Sequence, residues 1–136
     1  VHLGVAIHLR AGGLIAPAIL AAQALSLNEL MARLANLTAR ARTANLRSSE
    51  LTSGTITVSS LGEQGVDEVF PVILPPQVAM VGFGRIRPRP WVIDAQVVAR
   101  PVVVASLAGD HRVSDGHRGG KFLAAIERLL QRPEQL

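Results

Sequence analysis

A histidine and an aspartate four positions apart, His111 and Asp115, are the side chains of this sequence best suited to acid–base chemistry. They belong to the stretch Ala-Gly-Asp-His-Arg-Val-Ser-Asp-Gly at positions 108–116. Imidazole gains and loses a proton near neutral pH, so a histidine held in place can act as a general base. The motif alone is a weak signal, because a loop histidine is more often an ordinary surface residue.

Two elements flank this motif and are expected to hold it rigidly. An apolar run at 101–107 precedes it, and the continuous hydrophobicity predicts a strand covered on both faces. A stripe of apolar residues at helical spacing follows at 122–130, and Pro133 marks its end. We therefore expect His111 at a strand-to-helix junction.

The remaining chain alternates apolar runs with turn residues and contains one further long helix. Runs at 1–9 and 14–20 predict a strand–turn–strand unit. Ser26 and Glu29 have the spacing of a capping box, and the apolar periodicity that follows predicts a helix over 27–44. Further strands are predicted at 55–59, 69–74, 77–86, 91–93 and 96–99.

The order of these elements predicts an α/β fold, a mixed β-sheet with helices packed on one face. Asp94 and Ala95 separate the last two of these strands as a hairpin turn. The Arg-Pro-Arg-Pro run at 87–90 cannot continue a central ladder, because proline has no amide donor. The strands outnumber what two helices can cover, so contacts with other subunits are expected to hide the other sheet face.

Composition restricts the classes of function. The 136 residues suit one domain, and with 49% apolar and 18% charged residues we expect no long disorder and no membrane span. The absence of Cys excludes thiolate nucleophiles and Cys-based zinc sites, and the four His residues lack metal-ligand spacing.

The charge of the chain is positive, with a net value of +4 and one dense group of arginines at Arg85, Arg87 and Arg89. Aromatic residues make up only 3% of the chain, whereas single-strand nucleic-acid binding normally requires aromatic platforms beside the basic groove. We therefore expect no nucleic-acid partner. A positive field could instead attract a phosphorylated or acidic cofactor.

Three motifs, in order, resemble the catalytic domain of the dihydrolipoamide acyltransferases of 2-oxoacid dehydrogenase complexes. They are Thr-Val-Ser-Ser-Leu-Gly at 57–62, Pro-Val-Ile-Leu-Pro-Pro-Gln-Val-Ala at 71–79 and Asp-His-Arg-Val-Ser-Asp-Gly at 110–116. The resemblance implies a chloramphenicol acetyltransferase-like fold, the coenzyme A-dependent acyltransferase fold. It covers the later part of that domain, so residues 1–136 are expected to be its C-terminal part, with the lipoyl and subunit-binding domains absent.

The resemblance implies acyl transfer between dihydrolipoamide and coenzyme A. His111 then acts as general base, the Ser59 hydroxyl stabilises the oxyanion, and Asp115 holds the loop or an arginine rather than titrating. Coenzyme A is a substrate, the lipoyl group is carried on a domain outside this chain, and no metal is expected. Arg112 could meet a carboxylate or the coenzyme A phosphates, and a carboxylate is the preferred expectation. Leu74, where acetyl- and succinyl-transferring members tend to have Asn, favours a branched-chain acyl group.

The family also implies an assembly. Its active site lies between subunits of a trimer, and trimers build a large core, so His111 and Ser59 are expected to meet across an interface. The implied partners are further copies of the chain and the decarboxylase and dihydrolipoamide dehydrogenase components, in the cytoplasm. The alternative is a non-catalytic scaffold subunit that only forms the core. Such relatives are expected to lose the histidine, which this chain retains.

Overall fold

A five-stranded mixed β-sheet forms the centre of the protein, in a computed structural model that describes residues 1–9 and 12–135. In chain order, the strands of the described residues are β1 (Leu3–Val5), β2 (Ile7–His8), β3 (Leu14–Ile15), β4 (Ala18–Ile19), β5 (Ile56–Ser60), β6 (Ala79–Phe83), β7 (Arg87–Ile93), β8 (Gln96–Val102) and β9 (Ala105–Gly109). The helices are α1 (Leu27–Arg42), α2 (Ser48–Thr52) and α3 (Gly116–Leu130). None of the helices within the described ranges is long and apolar enough to cross a bilayer.

The central sheet has the spatial order β4-β1-β5-β6-β9. β1, β5 and β6 run parallel, whereas β4 and β9 are antiparallel to their neighbours at the two edges. β2 with β3 and β7 with β8 form separate two-stranded ribbons. The predicted mixed sheet with helices is therefore confirmed.

α3 packs on one face of the sheet. Side chains alternate between faces along a strand, so Leu107 lies on the same face as Val81, its cross-strand partner. A Cβ added at Gly119 would lie 3.3 Å from the Leu107 side chain, so the helix lies close to β9. The predicted apolar stripe of α3 is present, but Phe122 and Leu130 remain 41% and 49% exposed. Only part of the stripe is covered by this chain.

An extended segment at residues 69–77, here called the crossing segment, crosses the opposite face. At its start, the Ser106 hydroxyl donates a hydrogen bond to the Val69 carbonyl. At its end, the Thr57 hydroxyl donates to Oε1 of Gln77 at 2.5 Å. Thr57 is fully buried, so this bond satisfies a polar group in the centre of the sheet and fixes the crossing segment there.

Two predicted strands differ from the structure. Residues 69–74 alternate between half-buried and exposed side chains, as a strand would, but they belong to no ladder because the crossing segment lies over the sheet face. The run at 101–107 is not one strand: its first two residues end β8, and β9 begins at Ala105. At the break, the Val104 carbonyl accepts from the Gly84 amide at 3.1 Å. β9 has α3 on one face and the crossing segment on the other, yet it forms an edge of the central sheet.

The first long helix and the hairpin are confirmed. α1 begins after Ser26, whose amide donates to the Glu29 carboxylate at 2.9 Å while the Glu29 amide donates back to the Ser26 hydroxyl at 3.3 Å. β7 and β8 form the predicted hairpin, and Asp94 and Ala95 have φ values of 50° and 62°, as a type I′ turn requires. The Arg-Pro run at 87–90 opens β7, outside the central sheet.

A bidentate ion pair ties α2 to α1. The two terminal nitrogens of Arg40 lie 2.8 and 2.6 Å from the carboxylate oxygens of Glu50, and the Arg47 amide donates to the same carboxylate at 2.8 Å. The Glu50 side chain is only 12% exposed. The hydrogen bonds from Arg40 lower the pKa of Glu50 to about 2.

We predict that Glu50→Gln lowers the free energy of unfolding by ~1–2 kcal/mol at neutral pH. Because the folded-state pKa lies below the ordinary value of 4.5, the Glu50 contribution is complete above pH 4.5 and is lost as the pH falls towards about 2. Denaturant unfolding over this pH range should show wild type and variant converging. Glu63→Gln, at an exposed position without an ion pair among the described residues, is the matched control. A difference that is independent of pH would contradict the assignment.

Candidate active site

Ser59 lies near the C-terminal end of β5, on the face of the crossing segment. Its cross-strand partner is Gly82, which in turn pairs with Ser106 of β9. A Cβ at Gly82 would lie 2.8 Å from the Val69 side chain, so only glycine lets the crossing segment pack this closely beside the serine. Ser59 is half-buried, and its hydroxyl makes no hydrogen bond to any described residue, which leaves it able to donate to a bound group.

His111 follows β9 in a turn that leads into α3. The Asp110 amide donates to the Val78 carbonyl at 2.8 Å and so extends the β9 ladder by one residue. The Asp110 carbonyl accepts from the amides of Val113 and Ser114 at 2.9 and 3.0 Å, which reverses the chain direction. The exposed imidazole of His111 lies in this turn, on a backbone held at both ends.

Asp110, next to the histidine, forms an ion pair with Arg112. Its carboxylate accepts from the Arg112 amide at 3.0 Å and from the Arg112 guanidinium at 2.7 Å. These hydrogen bonds lower the pKa of Asp110 to about 2, so the carboxylate is ionised at neutral pH. Arg112 thus meets a carboxylate, as expected. Asp110 was not predicted as the partner of Arg112, although an Asp in a turn that bonds the amide two residues on is a recognisable Asx-turn signal.

Asp115 caps α3. Its carboxylate accepts a hydrogen bond from the Arg118 amide at 2.9 Å, and the helix begins at the next residue, Gly116. An aspartate at this position satisfies one of the free amides of the first helical turn. Asp115 therefore holds the loop that carries His111, and no contact between its carboxylate and an arginine side chain is formed within the described residues.

His111 and Asp115 line a common groove of about 620 Å³ between α3 and the sheet. Its walls are mainly apolar and include Ile56, Leu107 and Leu123. A groove of this size with few polar groups is typical of small-molecule sites. Within the described ranges, no three His, Asp or Glu side chains converge as metal ligands would.

Ser59 and His111 are far apart within one chain. Ser59 lies in the row of Gly82 and Ser106, whereas His111 lies five residues further along the chain from Ser106, beyond the other end of the sheet. Strand geometry gives a separation of roughly 15–20 Å. The structure thus brings His111 and Asp115 together and leaves Ser59 outside their groove.

These observations define an α/β domain with a mixed β-sheet, in which a loop histidine follows the antiparallel edge strand. Residues 1–136 match the family model described as 2-oxoacid dehydrogenases acyltransferase (catalytic domain), and the chain belongs to this family. It is 40% identical over 124 residues to the dihydrolipoyllysine-residue acetyltransferase component of a pyruvate dehydrogenase complex from Staphylococcus epidermidis, covering 91% of this chain and 29% of that protein. It is 36% identical to the succinyltransferase component of a 2-oxoglutarate dehydrogenase complex from Pseudomonas aeruginosa, covering 91% of this chain and 30% of that protein.

Solved structures show the same fold. The Azotobacter vinelandii dihydrolipoamide acetyltransferase, in which the roles of a serine, a histidine and an asparagine in the catalytic mechanism were investigated, matches with a TM-score of 0.88 and 32% identity over 99% of this chain and 55% of that one. The cubic core of a pyruvate dehydrogenase multienzyme complex matches with a TM-score of 0.88 and 31% identity, over the same shares of the two chains. The expected coenzyme A-dependent acyltransferase fold is confirmed. The chain spans less than a third of the length of the curated relatives and about half of these solved chains.

We predict that Asp115→Ala lowers the free energy of unfolding by about 1 kcal/mol, because the first turn of α3 loses its cap. Asp115→Asn should remain close to wild type, since the amide oxygen can accept the same hydrogen bond from Arg118. Denaturant unfolding of the three proteins measures both effects. Equal destabilisation in the Asn and Ala variants would mean that charge, and not capping, is what Asp115 contributes.

Proposed function

We propose that the protein containing this chain transfers an acyl group between dihydrolipoamide and coenzyme A within a 2-oxoacid dehydrogenase complex. Family membership over the whole chain carries this proposal. A further observation supports the site: Ser59, His111 and Asp115 have the same sequence intervals as the serine, histidine and asparagine investigated in the Azotobacter vinelandii enzyme. Asp and Asn are equivalent as helix caps, so the replacement preserves what Asp115 does here.

The proposed roles follow from the chemistry of thioester exchange. His111 accepts the proton of the coenzyme A thiol as sulfur attacks the thioester carbonyl of the acylated dihydrolipoamide. Ser59 donates a hydrogen bond to the oxyanion of the tetrahedral intermediate. As the carbon–sulfur bond to dihydrolipoamide breaks, His111 returns the proton to the departing sulfur. No nucleophile on the protein is required, in agreement with the absence of Cys.

The separation of Ser59 from His111 supports an active site built by two copies of the chain. A homotrimer that builds a larger core would supply such an interface, and the likeness to a cubic core favours this assembly. We further propose that this chain is the C-terminal part of its catalytic domain and that the lipoyl group reaches the groove at His111 from another domain. The proposed partners are the decarboxylase and dihydrolipoamide dehydrogenase components of the complex, and the proposed location is the cytoplasm.

A mixture of two inactive variants tests the shared site. His111→Ala should lower kcat by about 10²–10⁴-fold and Ser59→Ala by about 10²–10³-fold. Co-assembly of the two variants in equal amounts should restore about a quarter of wild-type activity, because one interface in four then pairs an intact His111 with an intact Ser59. The measurement is acyl transfer to coenzyme A before and after dissociation and reassembly of the mixed variants.

The possible outcomes separate the proposals. No recovery in a well-assembled mixture would contradict the shared site. Wild-type rates in His111→Ala would exclude this residue as the base. Normal assembly without transfer in the wild-type protein would favour the alternative function, a scaffold subunit that forms the core.

For the acyl group, we propose a branched-chain substrate. Leu74 lies in the crossing segment, is 65% exposed and projects on the same side as Phe70 and Val72, which are also exposed. An apolar surface of this kind suits a branched aliphatic group better than acetyl or succinyl. The relatives named above are acetyl- and succinyltransferases, so this proposal departs from them.

We predict that the enzyme uses isobutyryl-coenzyme A with a higher kcat/KM than acetyl- or succinyl-coenzyme A, and that Leu74→Asn reduces this preference. One buried methylene typically changes discrimination by about 10–200-fold. The assay measures kcat/KM for the three acyl donors with wild type and variant. A wild-type preference for acetyl or succinyl would show that the branched-chain proposal is wrong.

A further inference from the structure

One residue, Asp110, organises the turn that carries His111. Its carbonyl accepts hydrogen bonds from the amides of Val113 and Ser114 at 2.9 and 3.0 Å, and its carboxylate accepts from the amide of Arg112 at 3.0 Å. An aspartate that bonds the amide two residues on stabilises a tight turn around the residue between them, which here is His111. The backbone position of His111 therefore depends on the polar groups of Asp110.

The guanidinium of Arg112 occupies the rest of the Asp110 carboxylate. Nε lies 3.0 Å from one carboxylate oxygen, and a terminal nitrogen lies 2.7 Å from the other. The Arg112 side chain is 84% exposed, whereas that of Asp110 is only 19% exposed. Because an ion pair with one partner in water contributes little to stability, the pair is better explained by its position on either side of His111.

An unpaired carboxylate at position 110 would oppose the proposed role of His111. A general base must be neutral in order to accept a proton, and a nearby carboxylate favours the protonated imidazole. The hydrogen bonds from Arg112 lower the pKa of Asp110 to about 2, so the carboxylate is charged over the whole range in which an imidazole titrates. Both of its oxygens bond Arg112, and the imidazole makes no hydrogen bond to any described residue. The arginine thus keeps the carboxylate from holding the imidazole.

The other charged groups that face His111 come from α3. Asp115 and Arg118 line the groove together with His111, and one is negative and the other positive. The sheet contributes only uncharged residues to this groove, and no other charged side chain of the described residues lines it. Two pairs therefore balance the charge around the imidazole, and Asp110 with Arg112 is the pair adjacent to it in the chain.

We infer that Asp110 and Arg112 are positioning residues for His111: Asp110 shapes the turn that presents the imidazole, and Arg112 occupies the carboxylate so that it does not hold the imidazole in its protonated form. Neither residue touches the reacting atoms in this assignment. The inference rests on the proposed function, because it explains how a histidine beside an aspartate can serve as the base.

Opposite charge effects provide the first test. Arg112→Gln leaves the Asp110 carboxylate without its counter-charge, so the pH midpoint for deprotonation of His111 should rise. Asp110→Asn leaves Arg112 without its counter-charge, so the midpoint should fall. Each shift should be roughly 0.3–0.5 of a pH unit, the effect of one charge at about 8 Å in a water-like dielectric. A pair with a purely structural role would not shift the midpoint in opposite directions.

Chemical modification of the assembled protein measures these midpoints without turnover. Diethyl pyrocarbonate reacts with the neutral imidazole, and peptide mass spectrometry resolves His111 from His8, an exposed histidine of β2 that serves as internal reference. The double variant Asp110→Asn/Arg112→Gln should return His111 to the wild-type midpoint, because the local charge is again balanced. Arg33→Gln makes the same charge change at an exposed position of α1, which packs near β4 at the other edge of the sheet, and should leave the midpoint unchanged.

Kinetics of the assembled enzyme report the positioning role. Asp110→Ala loses both the charge and the acceptor for the Arg112 amide, so kcat should fall about tenfold or more at every pH with little change in KM. Asp110→Asn retains an oxygen that accepts the same bond, so its kcat should stay within about twofold of wild type at high pH. Arg112→Gln should lower kcat/KM about two- to threefold below the midpoint and leave the plateau above it unchanged.

The outcomes distinguish this inference from the proposed function. Shifts in the same direction in both single variants, no shift in either, or equal kcat in Asp110→Ala and Asp110→Asn would overturn the inference. Where this happens in an enzyme that transfers acyl groups and loses activity in His111→Ala, the acyltransferase proposal stands. Opposite shifts in the variants of a protein without transfer activity would support the role of the pair and contradict the proposed function.

Discussion

The antiparallel pairing of β9 with β6 determines how far apart the two proposed catalytic side chains, Ser59 and His111, lie within one chain. β5 and β6 run parallel, so the chain leaves both at one end of the sheet, and it leaves β9 at the other end. Ser59 belongs to the first end and His111 to the second. The turn after β9 cannot bridge this distance, because Asp110 is hydrogen-bonded to Val78 and Asp115 caps α3. Under the proposed function, Ser59 and His111 can therefore share one site only if two copies of the chain associate.

Local features of the fold could be predicted because their causes are local. The capping box of Ser26 and Glu29 determines where α1 begins, and the turn at Asp94 needs only two residues in the left-handed region. The junction that carries His111 was also predictable, since an apolar run and a helical stripe flank it. The distance between His111 and Ser59 was not, because it depends on sheet order and strand direction, which hydrophobic periodicity does not encode.

The two strands that were wrongly predicted, at 69–74 and 101–107, also depend on contacts that hydrophobic periodicity does not encode. The crossing segment has the alternation of a strand, but its anchors are the side chains of Ser106 and Thr57 rather than a ladder, and no propensity reports a side-chain anchor. The run at 101–107 contains no glycine or charge to mark the point where the chain passes from the ribbon to the central sheet. A continuous apolar stretch indicates that its residues are buried, but it does not indicate which element of the fold covers them.

Gly84 connects the packing of the sheet to the charges of the ribbon. A Cβ at this position would collide with the backbone carbonyl of Asp67, while the neighbouring Arg85 amide is bonded to the Val66 carbonyl at 2.7 Å. Glycine is therefore the only residue type at position 84 that leaves room for the loop carrying Asp67. Any side chain at Gly84 would displace the Asp67 carboxylate from Arg85 and Arg87, with which it forms ion pairs. A substitution at this uncharged residue would thus act by steric collision, yet its effect would be the loss of ion pairs.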